Sequence, residues 1–228
     1  MSIEQEKRLA GEAAAELVES GMIVGLGTGS TAAFAVRRLG ERVQQGLRIR
    51  GVPTSLQTAE LAGAVGIEIM DIGQVEHIDL TIDGADEIDP ALNLIKGGGG
   101  ALFREKIVAA ASARLVIFAD HTKLVPHLGA FPLPVEVNPF GWQLAAARIR
   151  DLGAAEVALR RAADCAFVTD NHGYVLDCHF KQIADPAGLA EQLKRITGVM
   201  EIGLFIGMAE LALLGDGGSV RHIQRPPA

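Results

Sequence analysis

Along the first 130 positions apolar residues recur with two periods in alternation. Over "IEQEKRLAGEAAAELV", Ile3, Ala10, Ala14 and Leu17 fall near one helical face. Ser2 followed by Gln5 has the form of a capping box, Glu4 and Glu6 suit a helix N-terminus, and Gly21 stops the pattern. "MIVGL" then reads as a strand, and a glycine-rich turn leads into a helix from Thr31 to about Gln45. "LRIRGV", "IEIM" and "HIDLTID" read as further strands, with a helix through "SLQTAELAGAVG" between the first two. Strands alternating with helices predict an α/β unit: a mostly parallel sheet covered on both faces, with its ligand crevice built from loops at the carboxyl ends of the strands.

After "ARLVIFADHTK" the prolines of "FPLPVEVNPF" break the alternation. Beyond them the pattern predicts strand, helix (Gly141 to Leu152), two or three strands, helix (Ala187 to Ile196) and strand. That order predicts a smaller ferredoxin-like α+β domain, two helices layered on an antiparallel sheet. The expected division is 1–130 for the first domain and 131–205 for the second, with the chain returning to the first over 206–228.

Composition narrows the class. With 228 residues, 49% of them hydrophobic, the chain can bury a sizeable core. No apolar run approaches the roughly 20 residues that span a bilayer, and the first 20 residues are acidic and amphipathic, so a cytoplasmic protein without a membrane partner is expected. Cys165 and Cys178 are too few for a disulfide framework and read as buried thiols. A formal charge of −7 argues against nucleic acid as a partner, so any phosphate site must be local. His77, His121, His127, His172, His179 and His222 form no pair with metal-ligand spacing, and no metal is expected; His121 reads as an exposed turn residue.

Four strand-end motifs carry the candidate chemistry. In "GLGTGSTA", Gly25 to Ala32, a glycine turn opening a helix at Ser30 and Thr31 would point backbone N–H groups and hydroxyls at an anion. Its G-x-G-x-G spacing misses both the dinucleotide fingerprint and the P-loop, and a plain tight turn with a Ser N-cap is the alternative. In "TIDGADEID", Asp83, Asp86 and Asp89 stand at positions 1, 4 and 7, which excludes a calcium loop. Glu87 and Asp89 read as a solvated turn, whereas Asp83 and Asp86 flank Gly84 at the end of a strand, where they can hold sugar hydroxyls or shuttle protons. In "KGGGGALFREKI", Gly97 to Gly100 suit either a flexible loop or a backbone closely approaching a ligand; Lys96 can face a negatively charged intermediate. Glu105 opens the next helix, as a dipole partner or as a catalytic acid or base. In "ADHTKLV", Lys123 is a surface charge or a phosphate ligand.

An anion cradle, two aspartates, two lysines and a glutamate, without a nucleophile or cofactor fingerprint, suit cofactor-free proton transfer. "GLGTGSTA", "DGADEID", "KGGGGAL", "REKI" and "ADHTK", in this order and spacing, closely resemble ribose-5-phosphate isomerase type A, and "FPLPVEV" and "VTDN" extend the likeness over nearly the whole chain. The resemblance implies a Rossmann-like first domain, a homodimer or dimer of dimers, and interconversion of D-ribose 5-phosphate and D-ribulose 5-phosphate in the pentose phosphate pathway without a cofactor. It places the general base on Glu105, the oxyanion-stabilising cation on Lys96 and the ring-opening acidic pair on Asp83 and Asp86. It implies a substrate loop at Thr28, Gly29, Ser30 and Thr31, further substrate contacts along Gly84, Ala85 and Gly97 to Gly99, and phosphate-facing cations at Lys123 and Lys7. Gly100 stands where relatives commonly carry alanine.

Two rivals share the fold type. A sugar-phosphate-sensing domain of a transcription regulator would keep the pocket but need neither Glu105 nor Lys96, and would carry a DNA-reading module; the first predicted helix begins at residue 3. An acyl transferase would use Glu105 as a nucleophile and form a trappable covalent adduct.

Overall fold

The structure, a computed structural model, describes residues 1–225. The chain folds into two compact units: Met1–Ala85, Arg104–Lys123 and the segment from Gly207 onward form the first, Asp86–Phe103 and Leu124–Ile206 the second.

Helix α1 (Ile3–Glu16) starts on the expected capping box: the Ser2 N–H donates to Gln5 Oε1 (2.9 Å) and the Gln5 N–H to Ser2 Oγ (3.3 Å). Then follow β1 (Ile23–Leu26), α2 (Ser30–Gln44), β2 (Arg50–Pro53), α3 (Leu56–Ala64), β3 (Glu68–Ile69) and β4 (Leu80–Asp83). The chain visits the second unit in β5 (Glu87–Ile88) and β6 (Leu94–Ile95), and runs through α4 (Leu102–Ala110) to β7 (Leu115–Asp120). The second unit continues with β8 (Leu133–Val137), α5 (Trp142–Asp151), β9 (Glu156–Leu159), β10 (Arg161–Ala162), β11 (Cys165–Ala166), β12 (Tyr174–His179), α6 (Pro186–Lys194), β13 (Val199–Ile202) and β14 (Leu204–Phe205). Strands β15 (Leu211–Asp216) and β16 (Ser219–Gln224) complete the first unit.

The first unit is Rossmann-like. Its sheet runs β16-β15-β7-β4-β1-β2-β3, with every neighbouring pair parallel except β15 and β16. Chain order reverses between β1 and β4, the place where such sheets open a ligand crevice at the carboxyl ends of their strands. Val24, Leu26, Leu80, Ile82, Val116 and Phe118 of the sheet form its core with Ala10, Ala14, Ala35, Val36 and Leu39 of the two helices. Each large side chain withdrawn from water here contributes about 1.5–3 kcal/mol. Ile3, expected on the buried face of α1, is exposed.

In the second unit, β8, α5, β9, β12, α6 and β13 form the ferredoxin-like layer, with antiparallel order β13-β8-β12-β9. Leu133, Val135, Ile149, Leu176, Leu193 and Ile202 lie in its core. A separate antiparallel sheet, β14-β6-β5, draws residues 86–103 into this unit, and Leu124 bridges to Ile88. The unit therefore starts before residue 131 and includes a segment that the expected division gave to the first domain. At two residues each, β5, β6 and β14 are too short to show a period of their own, and the pattern did not mark them. Among the described residues no helix is long and apolar enough to cross a membrane.

Candidate active site

In the first unit β1, β2, β4 and β7 are adjacent and parallel, so the loops after Leu26, Pro53, Asp83 and Asp120 lie along one sheet edge. Gly25 and Gly27 are glycines because β4 and, at Gly25, also α4 approach closely. A Cβ on Gly25 would stand 2.7 Å from Val108 Cγ1 and 2.8 Å from Thr81 Cβ, and one on Gly27 would stand 2.6 Å from Asp83 Cα. Gly29 has φ +107° and caps α2 without any side-chain acceptor. Ser30 is therefore the first helical residue and not the N-cap of the plain-turn reading, and Gly29 places no capping side chain over the first turn of α2.

Asp83, 1% exposed, fastens this loop: Oδ1 accepts the N–H groups of Thr28 (3.2 Å) and Gly84 (2.7 Å). Thr28, Gly29, Ser30, Thr31, Asp83, Gly84 and Ala85 are thus brought to the β1/β4 reversal. Thr28 Oγ1 also lies within hydrogen-bond distance of Thr54 Oγ1 (2.7 Å), Ser55 Oγ (2.9 Å) and Thr58 Oγ1 (3.1 Å). Thr54 donates on to the Leu26 carbonyl and Thr58 to that of Gly27, both at 3.0 Å. Sequence reasoning missed these three hydroxyls; the available signal was "TSLQT", a polar cluster at a strand's carboxyl end with Ser55 as the N-cap of α3.

Lys7, on α1, lines one surface groove with Ser30 and Arg37 of α2. Lys123 ends the short 3₁₀ turn that follows β7. Glu105 lies in the first turn of α4 and is only 4% exposed, withdrawn far more than a mere dipole partner on a helix surface would be.

In the second unit Lys96 follows β6 and is 2% exposed, with its Nζ 5.4 Å from the Phe205 ring centroid. Its backbone N–H donates to the Gly203 carbonyl at 2.9 Å. Asp86 Oδ2 accepts the Gly98 N–H at 2.7 Å, and a Cβ on Gly98 would stand 2.5 Å from Asp86 Oδ1. Gly97 and Gly100 adopt φ +102° and +82°. The run Gly97 to Gly100 is anchored: Arg160 donates from Nη1 to the carbonyls of Gly97 (2.9 Å) and Gly98 (3.0 Å) while its Nε binds Asp177 Oδ2 (3.0 Å). Arg160, which sequence reasoning also missed, lies over the Phe167 ring, and the same ring occupies the place a Cβ on Gly100 would take.

Two minor expectations fail. Glu87 is buried and accepts the N–H groups of Gly129 (2.7 Å) and Phe131 (2.6 Å), so it is a structural acceptor and not part of a solvated turn. Asp89 does form the turn, accepting from Ala91 and Asn93. Cys178 is buried, where desolvation pushes its thiol pKa up, but Cys165 on a short hairpin is exposed.

Comparison with known proteins gives the same reading from every side. A protein-family model described as ribose 5-phosphate isomerase A (phosphoriboisomerase A) matches residues 50–218. The ribose-5-phosphate isomerase A of Gloeobacter violaceus is 55% identical over 222 residues, covering 96% of each chain. That of Cereibacter sphaeroides is 51% identical over 232 residues, covering 97% of this chain and 88% of the relative. Among solved structures, a D-ribose-5-phosphate isomerase in complex with phospho-erythronic acid superposes with a TM-score of 0.95 at 37% identity, over 99% of this chain and all of that one. The enzyme from Methanocaldococcus jannaschii gives 0.93 at 36%, over 98% and 100%. With the strand-end motifs in place and likeness running the length of the chain, this protein belongs to the ribose 5-phosphate isomerase A family.

Proposed function

We propose that the chain interconverts D-ribose 5-phosphate and D-ribulose 5-phosphate through a cis-enediolate, acting in the cytoplasm, where a reducing medium suits its two free thiols. The observation that carries this reading is the full-length likeness to enzymes of that name, one of them solved with a phosphorylated sugar acid. The substrate's open-chain aldehyde has an acidic hydrogen at carbon 2. Glu105 takes that proton and returns it to carbon 1, while the hydroxyl proton passes to the former carbonyl oxygen. Electrons balance within the sugar, so the step requires no external oxidant or reductant.

Burial suits the two central roles. A carboxylate and an ammonium withdrawn from water act on a bound sugar with little solvent screening, and a buried ammonium stabilises an enediolate more than an exposed one does. Lys96 supplies that cation, and Asp83 and Asp86 open the sugar ring and relay protons between oxygens. Thr28 to Thr31, with Gly84, Ala85 and Gly97 to Gly99, contact the substrate through backbone and hydroxyl groups, and Lys7 and Lys123 face its phosphate. The protein works as a homodimer or dimer of dimers; the ring of Phe140, 94% exposed, and the nearby exposed Leu144 support burial against a second copy.

The test is ribulose 5-phosphate formation by the purified chain after dialysis against EDTA. Turnover is expected, and Glu105→Gln should fold and bind substrate while kcat falls about a thousandfold. Tight binding without turnover in the wild type would convert the reading to a sensing domain, and full activity in Glu105→Gln would remove the base from Glu105.

A further inference from the structure

Each of the two lysines assigned to the phosphate has a neighbour that binds the other's neighbour. Glu6 precedes Lys7 on α1, and His121 stands two residues before Lys123 in the turn after β7. Glu6 Oε2 and His121 Nδ1 are 2.6 Å apart, Glu6 being 4% exposed while the imidazole keeps about half of its surface in water. Glu6 is fixed from the far side as well. The Gly217 N–H approaches its Oε1 at 3.4 Å, and β15 passes so close that a Cβ on Gly215 would stand 2.7 Å from the Glu6 carbonyl carbon. On the other side, Asp120 Oδ1 accepts the Thr122 N–H at 3.1 Å and the Thr122 hydroxyl, holding the turn between His121 and Lys123. The groove of about 560 Å³ that Lys7 shares with Ser30 puts α1 beside the opening turn of α2.

We propose that the Glu6–His121 pair is a positioning clamp, locking the helix that bears Lys7 to the turn that bears Lys123 and so making affinity for the substrate's phosphate depend on pH. It rests on the assignment of those two lysines as phosphate ligands.

The groups facing His121 are Glu6 on α1, Asp120 at the end of β7 and Asp216 on β15, the last also 3.8 Å from Arg221 on β16. The Glu6 hydrogen bond, first among the causes, raises the His121 pKa, with both aspartates adding to it and desolvation opposing. The bond to His121 lowers that of Glu6. The signs set a window. A raised histidine value makes the pair's contribution complete below the unfolded histidine pKa and lost as pH rises through the folded one. A lowered carboxyl value makes it complete above the unfolded glutamate pKa and lost as pH falls through the folded one. The clamp is closed from mildly acidic to neutral pH and opens as His121 deprotonates.

Steady-state kinetics over a pH series after EDTA dialysis, with the His121 pKa read by NMR, test this in the full-length wild type, Glu6→Gln and His121→Asn. Near neutral pH each variant should raise KM about fivefold with kcat unchanged, and the wild-type rise in KM with alkaline pH should flatten in both. By reciprocity, D-ribose 5-phosphate should raise the His121 pKa in the wild type and much less in Glu6→Gln. Should Glu6→Gln fold poorly, His121→Asn and the ligand-induced shift in the wild type still decide the matter. Wild-type KM and pH profile in both variants, with KM raised in Lys7→Ala or Lys123→Ala, would overturn the clamp alone. Unchanged KM in the lysine variants too would overturn the phosphate assignment and the clamp with it.

Discussion

In the first unit the glycines at 25 and 27 make room for atoms of a neighbouring strand, whereas in the second Gly97 and Gly100 bend the chain through left-handed φ values, and a distant arginine holds the bent carbonyls. Only Gly29 in the first loop needs glycine for its conformation. The first loop is set by the sheet itself: β4 delivers Asp83 directly beneath Thr28, and β2 delivers Thr54 beside it. The second is set by a side chain 63 positions away. A run of glycines therefore says that backbone approaches something closely; what it approaches, and what holds it there, differ between two loops of similar composition.

That contrast breaks first at Gly27. Gly27→Ala drives a methyl group into the Asp83 backbone, which belongs to a central strand and cannot yield as a flexible side chain would. A loss of about 3 kcal/mol is expected, seen as a lower denaturant midpoint at unchanged m. Wild-type stability would mean that β1 and β4 separate freely and that close approach does not set the loop. Arg160→Met comes next. It keeps the aliphatic stem but leaves Asp177, about one quarter exposed, and two glycine carbonyls without their donor. About 2 kcal/mol of stability should be lost, less than for a fully buried pair, and kcat/KM should fall about tenfold as Gly97 and Gly98 lose their fixed geometry. A variant that loses stability but keeps kcat/KM would show that the loop's geometry survives on Asp86 alone.

Elements long enough to display a period were legible from the chain: the capping box at Ser2, the strands ending at Leu26 and Asp83, the two helices of the ferredoxin-like layer. Asp83 at the end of an apolar strand and Glu105 behind a glycine run stood out for their place in the chain, and both are buried there. What escaped was set by pairing across long separations. The β14-β6-β5 sheet is made of two-residue strands, and Glu87 looks like any turn acid until Gly129 and Phe131 are seen to bind it. His121 looks like any turn histidine until α1 brings Glu6 from 115 positions away. Local composition carries no record of such partners, because each contact is decided by where the sheet places both ends.

The smallest expected effect is the most discriminating for the first loop. Thr28→Val removes a hydroxyl while keeping shape, and the Thr28 N–H still reaches Asp83 while Thr58 still donates to Gly27. Thr54, Ser55 and Thr58 remain close enough to one another and to backbone carbonyls to keep partners. Their desolvation is therefore mostly compensated, and the cost should be about 1 kcal/mol. If the hydroxyl also meets the substrate, KM rises severalfold in the same variant, an effect that stability alone does not produce. A loss as large as that of Gly27→Ala would reverse the account of this loop, making the hydroxyl cluster, and not the approach of β4, the feature that fixes its shape.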